Sequence, residues 1–477
     1  MTKRIGRLLG PLAFMFIAFI AHPQGLSAEA HMTLACAVWV AIWWITEAAP
    51  MAVTALLPIL LFPLTGAVGL KETTSAYGHP FIFLFLGGFV IAKALERWDL
   101  HRRIALNIIL FVGTDMRKIV FGFMLATAFL SMWISNTATS VMMLPIGLAV
   151  VSKLEDDSQV DPMVSTHFGK ALMLAIAYAA SIGGIATLIG TPPNLVFAGV
   201  MQETFGYVIS FEKWLLVGVP FSLLMLIICW QYLTRFAFPL GKLKMPGGRA
   251  AISDQRKKLG KPGYEEKAVA VVFGVTAVAW VSKAYVLKPF LPAIDDSMIA
   301  LFGAIALFLI PARSRKGAIL QWEEAVNLPW GVLLLYGGGL AIAAAFKTTG
   351  LATWIGEQLT LFGGLHEFVM ILLVVAAINF LTEITSNLAT TAMLLPVLGA
   401  LATSLGLDPL TLMVAATIAA SCAFMLPVAT PPNAVVFGSG RLQVSDMVRA
   451  GIWLNLLSIV LVSVVVYLLV GVLQILR

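Results

Sequence analysis

Gly190-Thr191-Pro192-Pro193-Asn194 interrupts the apolar run 170–200, and Ala429-Thr430-Pro431-Pro432-Asn433 interrupts the run 410–438, at an offset of 239 residues. Paired prolines remove two amide donors and force the chain out of helix. A second kind of break also occurs twice. Ser135-Asn136-Thr137 stands in the middle of the run 118–150 and Ser386-Asn387-Leu388 in the middle of 368–403, at an offset of 251. That offset also lays Leu86-Gly87-Gly88 on Gly337-Gly338-Gly339, Ser131 on Thr382 and Leu144-Pro145 on Leu395-Pro396. The two halves of the chain are duplicates with one gap.

Apolar residues make up 60% of the 477 positions and charged residues 12%. Almost any stretch of about 20 residues could therefore cross a bilayer, and a soluble globular chain is excluded. Apolar runs place eleven spans near 8–24, 32–47, 50–67, 80–95, 170–200, 214–237, 266–287, 296–311, 328–346, 410–438 and 445–473. The runs 118–150 and 368–403 are long, have polar centres and are flanked by loops that belong on one side, so each reads as a re-entrant hairpin. The expected fold class is an all-α polytopic membrane protein of about eleven transmembrane helices and two hairpins.

The net charge of +7 lies mainly in a few loops, which points to membrane orientation and not to a nucleic-acid partner. With the N-terminus inside, the inside loops hold 24 of the 31 Lys and Arg, and the outside loops hold Lys71, Lys213, Lys283, Lys288 and Lys347. This asymmetry places the N-terminus in the cytoplasm and the C-terminus in the periplasm. The span 80–95 then runs inward and its duplicate 328–346 outward, so the repeats are inverted. Hairpin 118–150 enters from inside and hairpin 368–403 from outside, the arrangement of carriers whose site lies near the midplane between repeats. Lys3, Arg4 and Arg7 before an apolar run, with Ser27-Ala28-Glu29-Ala30 after it, resemble a signal peptide. The run 8–24 is long enough to span and the topology closes with it, so an uncleaved first helix is expected. The expected organisation is N-terminal scaffold helices over 1–79, a first repeat over 80–237, a cytoplasmic linker over 238–267, scaffold helices over 268–327 and a second repeat over 328–477.

Broken helices expose amino termini that favour anions and carbonyl oxygens that suit a hard cation such as sodium. None of the four polar centres contains Lys or Arg, so an anionic substrate needs its charge balanced by bound cations. Ser, Thr and Asn often serve only as glue between membrane helices, but four breaks in two matched pairs point to a binding site. Cys36, Cys229 and Cys422 lie far apart and the six histidines form no ligand cluster, so neither a disulfide frame nor a catalytic metal is indicated. Glu47 and Glu383 are acids at apparent membrane depth. Glu383 has Met132 as its repeat counterpart, so a structural hydrogen bond or ion pair is expected. Glu47, close to Pro50, is expected to end a helix at the inner interface.

On Ser135-Asn136-Thr137, Ser386-Asn387, both Thr-Pro-Pro-Asn loops and Trp44-Ile45-Thr46-Glu47-Ala48-Ala49-Pro50, the chain resembles the divalent-anion:sodium symporters over essentially its whole length. The resemblance implies an elevator-type carrier, homodimeric in the lipid of a bacterial inner membrane. Its cargo would be a C4 dicarboxylate such as succinate, malate or fumarate, with co-transported sodium as the only metal and no organic cofactor. By matched motif positions, one sodium site would use Ser131, Ser135, Asn136 and the Gly190 carbonyl. The other would use Thr382, Ser386, Asn387 and the Ala429 carbonyl. Substrate carboxylates would meet Asn136, Thr137, Asn387, Thr191 and Thr430, beside Pro192 and Pro431. Leu388 departs from the threonine of many dicarboxylate carriers, which removes a donor and could redirect the carrier toward citrate or sulfate. Sodium-independent exchange is the other alternative within this class. A channel is disfavoured because inverted duplication suits alternating access, and an enzyme because the hairpin tips hold no His, Lys or Asp to activate a hydroxyl.

Overall fold

The computed structural model describes residues 2–21, 23–113, 115–155, 160–241, 248–358 and 364–468. His22, residues 242–247 of the expected linker, residues 469–473 of the last expected span and the C-terminus lie outside them. Nine helices among the described residues are long and apolar enough to cross a membrane, two of them hairpin arms, and the chain is a multi-pass membrane protein. The expected spans 50–67, 296–311 and 410–438 are occupied by shorter helices. The first of these divides into Met51–Thr54 and Leu57–Thr65, because Pro58 has no N–H to offer the Thr54 carbonyl. The first helix covers Thr2–Phe19 and so begins earlier than the apolar run at 8–24. Glu47 caps the C-terminus of Ala28–Thr46 in the left-handed conformation, φ 47°, and pairs with Lys3 at 3.0 Å.

The region 96–118, read from sequence as a loop, contains a helix. Pro80–Arg97 reverses at Asp99, φ 53°, into Leu100–Val112. Its duplicate Trp330–Thr348 reverses at Gly350, φ 78°, into Leu351–Gln358. Leu100–Val112 is amphipathic: Ala105, Leu106 and Ile109 are buried, while Arg102 donates to Gln255 and Arg103 pairs with Glu266 and donates to the Gly260 carbonyl. It packs on the leading arm of the first hairpin, and Leu351–Gln358 packs on the trailing arm of the second. The linker also contains a helix, Gly248–Lys258.

Both hairpins form, as Met116–Ser131 with Asn136–Glu155 and as Glu367–Leu381 with Asn387–Ser404. Both broken spans form too, as Pro162–Ile185 then Pro192–Val200, and as Pro409–Ala420 then Pro431–Phe437. Their second halves are exchanged. Pro192–Val200 packs on Asn387–Ser404 of the other repeat, and Pro431–Phe437 packs on Asn136–Glu155 and Pro162–Ile185. The four elements therefore interlock into one body. A second body forms where Pro80–Arg97 packs on Asp296–Leu309 and Tyr264–Ser282, and where Trp330–Thr348 packs on the helices preceding residue 80.

Ion pairs sort the loops into two faces. On the linker face Glu324 binds Arg97 and Arg315, Glu155 binds Arg441 at 2.5 Å, and Asp446 binds Lys170 at 2.7 Å. Arg315, with Arg97, holds the Glu324 carboxyl down at about 2. On the far face Lys347 donates to the Glu203 carbonyl at 2.6 Å and Lys283 pairs with Asp296 at 2.6 Å.

The interlocked body depends on close backbone approach. A Cβ on Gly183 would lie 2.3 Å from the Ala128 carbonyl oxygen, whereas one on Gly274 would meet nothing within 4 Å. Gly183→Ala should therefore lower stability by about 1–3 kcal/mol through overpacking. Gly274→Ala should leave it unchanged or raise it by up to about 1 kcal/mol through helix propensity. Thermal melting of the two purified variants in one detergent checks the contrast.

Candidate functional site

The site is assembled from the two hairpin tips and the two breaks. Asp115 caps the leading arm of the first hairpin by accepting from the Lys118 amide at 2.9 Å, and the arm ends at Ser131. The Ser135 hydroxyl caps the trailing arm by accepting from the Ala138 amide at 3.2 Å, which places Asn136 in its first turn. The Ser131 Oγ lies 2.5 Å from Asn136 Oδ1 and 2.7 Å from the Ala180 carbonyl oxygen. With the Asn136 amide turned over, its nitrogen lies 3.2 Å from both the Gly190 and the Ala180 carbonyl oxygens. Gly190 is thus within reach of the same cluster.

The second repeat reproduces this arrangement. Thr382 Oγ1 lies 2.6 Å from Asn387 Oδ1 and 3.1 Å from the Ala420 carbonyl oxygen. In the second set one hydroxyl proton faces two acceptor oxygens, and the first set does the same when Asn136 Oδ1 points at Ser131. Neutral hydroxyl, amide and carbonyl oxygens in excess of protons, with no basic side chain among them, suit a hard monovalent cation, and the helix amino terminus beside each set suits an anion. The structure brings Ser131 to Asn136 and Thr382 to Asn387, pairs that the sequence motifs single out. The motifs do not single out the Ala180 and Ala420 carbonyls, because a carbonyl leaves no side-chain signature.

The remaining expected residues fall in different surroundings. Ser135 and Thr137 are exposed at the first tip. Ser386 stands before the trailing arm of the second hairpin without a side-chain capping bond. Thr191 and Thr430 are buried N-caps in extended conformation, and Thr430 Oγ1 accepts from the Asn433 amide at 3.4 Å. Pro192 and Pro431 occupy the first turns they cap, Pro192 half-buried and Pro431 exposed. Gly190 and Ala429 are buried. Leu388 is buried in the packed core while its counterpart Thr137 is exposed, so the two tips differ in more than a hydroxyl.

The asparagines of the Thr-Pro-Pro-Asn loops close the breaks. Asn194 Nδ2 donates to the carbonyls of Gly184, Ile185 and Thr187 at 3.2, 3.2 and 2.7 Å. Asn433 Nδ2 reaches those of Ala423 and Leu426 at 3.4 and 3.0 Å. The breaks are unequal, because the first helix runs on to Ile185 whereas the second stops at Ala420, about a turn earlier in the repeat. Glu383 accounts for the difference. Its carboxylate accepts from the amides of Phe424, Met425 and Leu426 at 2.8, 2.9 and 3.0 Å and from Asn455 Nδ2 at 2.7 Å. The expected hydrogen-bonding role is met. In the first repeat, where Met132 replaces Glu383, the tip is tied differently: Thr187 Oγ1 donates to the Met132 carbonyl at 2.6 Å.

A family described as the sodium:sulfate symporter transmembrane region matches residues 2–476. The sodium-dependent dicarboxylate transporter SdcS of Staphylococcus saprophyticus is 46% identical over 472 residues, covering 98% of this chain and 91% of the relative. SdcS of Staphylococcus aureus is 45% identical over 469 residues, covering 97% and 90%. Two solved transporters share the fold at low identity. MtrF of Neisseria gonorrhoeae is 15% identical with a TM-score of 0.61, covering 97% of this chain and 93% of its own. YdaH of Alcanivorax borkumensis is 13% identical with a TM-score of 0.58, covering 98% and 97%.

Replacing either loop asparagine by leucine strands buried carbonyls at about 1–3 kcal/mol each, less whatever water recovers. Asn194→Leu, which loses three contacts, should depress the melting temperature more than Asn433→Leu, which loses two. Equal melting temperatures for the two variants would contradict the sealing role.

Proposed function

This chain belongs to the sodium:sulfate symporter family, and on that premise we infer that it is a secondary transporter importing small dicarboxylates by sodium symport. It is not an enzyme; the family moves its substrate without changing it. The pair of repeat-related oxygen sets, Ser131/Asn136/Ala180 and Thr382/Asn387/Ala420, carries this reading. Each set offers neutral oxygens for one sodium ion. With Gly190 beside the first set and Ala429 in the second break, and with Ser135 and Ser386 at the tips, these are the two cation sites of the proposal. A dicarboxylate would lie between the tips, one carboxylate toward Asn136, Thr137 and Thr191 and the other toward Asn387 and Thr430. Pro192 and Pro431 would flank it. Without a lysine or arginine in the tips, the bound sodium ions supply the positive charge, so substrate affinity and sodium occupancy are coupled.

The interlocked hairpins and broken spans support an elevator movement. A site contained in one body reaches both faces only if that body shifts as a unit against the other helices. The proposal includes a homodimer joined through the scaffold, residues 1–79 and 268–327. It also includes a bacterial inner-membrane location with the N-terminus cytoplasmic and the C-terminus periplasmic, supported by the loop charge asymmetry.

Uptake of labelled succinate into proteoliposomes tests the reading. An inward sodium gradient should drive uptake, potassium should not replace it, and malate and fumarate should compete. Uptake indifferent to sodium but requiring internal dicarboxylate would replace symport by exchange. Asn136→Ala and Asn387→Ala should each lower uptake by about tenfold or more at normal abundance, the effect of losing about 1.4 kcal/mol of binding.

A further inference from the structure

The hairpins and broken spans pack with Phe211–Tyr232 and Val444–Leu468, while Tyr264–Ser282 and Asp296–Leu309 pack with Pro80–Arg97 in the scaffold. On the far face Glu212 forms an ion pair with Lys283 across these bodies and His79 Nε2 lies 3.2 Å from Glu203, while on the linker face Arg103, on the helix that packs on the first hairpin, pairs with scaffold Glu266. Two other linker-face pairs, Glu155 with Arg441 and Arg315 with Glu324, each stay within one body.

We propose that Glu212, reaching from the site-bearing body to the buried Lys283–Asp296 pair of the scaffold, is a releasable latch that holds the far face closed in this conformation. The inference rests on the proposed movement of one body against the other. Its chemistry is graded for release. Lys283 donates to Asp296 at 2.6 Å within the scaffold but stands 3.3 Å from Glu212, whose Oε2 has no hydrogen bond of good geometry. When Glu212 leaves, Lys283 keeps Asp296, so no buried charge is stranded. The second Asp296 oxygen accepts from the Phe211 amide at 2.9 Å, which adds a backbone contact across the same boundary.

Aromatic packing links the latch to the site. Trp133, three residues before Asn136 at the hairpin tip, stacks parallel to scaffold Trp280 at 6.3 Å and meets Phe273 edge-on at 5.1 Å. Phe211, beside Glu212, stacks on the same Trp280 at 4.8 Å. Opening the far face separates Trp133 and Glu212 from one scaffold surface together, which couples the tip to the latch.

A cross-link across the boundary tests this. A Cβ on Gly339 would lie 2.9 Å from Ala392 Cβ, so the two helices must part by about 0.6 Å or more to reach the roughly 3.5–4.5 Å of a disulfide, and native Cys36, Cys229 and Cys422 are buried. In a Gly339→Cys, Ala392→Cys background, adding Glu212→Gln should slow disulfide formation by about threefold or more, as expected for loss of one part-buried ion pair. The melting temperature should hold, because Lys283 retains Asp296. Equal cross-linking rates would overturn the latch. The oxidised protein should lose sodium-driven uptake and regain it on reduction, and uptake that persists through the closed disulfide would also overturn it. A reduced protein without uptake would count against the transport function, while the cross-linking comparison still decides the latch.

Discussion

A backbone amide or carbonyl at membrane depth has no water to fall back on, and this constraint organises the protein. The prolines of the two Thr-Pro-Pro-Asn loops end regular hydrogen bonding, and side chains from the loops and their neighbours take over. Asn194 and Asn433 fold back on the carbonyls that the helices leave behind. Tyr178 of the first repeat donates to the Phe424 carbonyl in the second break at 2.8 Å, and Asn379 donates to the Cys422 carbonyl at 2.7 Å. At the hairpin tips other carbonyls gather around Asn136 and Asn387, and it is there that the proposed ions would bind.

The duplication is therefore only approximate where it matters. The oxygen sets pair corresponding residues, yet the second is backed by the buried Glu383 carboxyl and the first by a threonine–carbonyl contact. Thr382 is followed by Glu383 and Ser131 by Met132, so the two proposed cation sets differ in their surroundings.

Much of this was legible in the sequence because apolar surroundings make polar residues conspicuous. Asn136, Asn387 and the proline pairs stand out in hydrocarbon runs, and their offsets reveal the repeat. Leu100–Val112 was missed because Arg102 and Arg103 look like loop charges, although they bond back to the linker region. The matching reversals at Asp99 and Gly350 preserve the offset of 251 and offered a signal for the amphipathic helix after each. The role of Glu383 required the unequal helix ends at Ile185 and Ala420, a difference of backbone that composition does not carry.

The exchanged second halves bear on how the molecule is made. Pro192–Val200 rests on Asn387–Ser404, a helix that the ribosome delivers long after it. During synthesis the first repeat thus waits in the bilayer with its broken span uncovered, and no order of insertion lets it finish alone. The halves are a duplication in sequence, but they mature as a single cooperative unit, completed only when the second hairpin arrives.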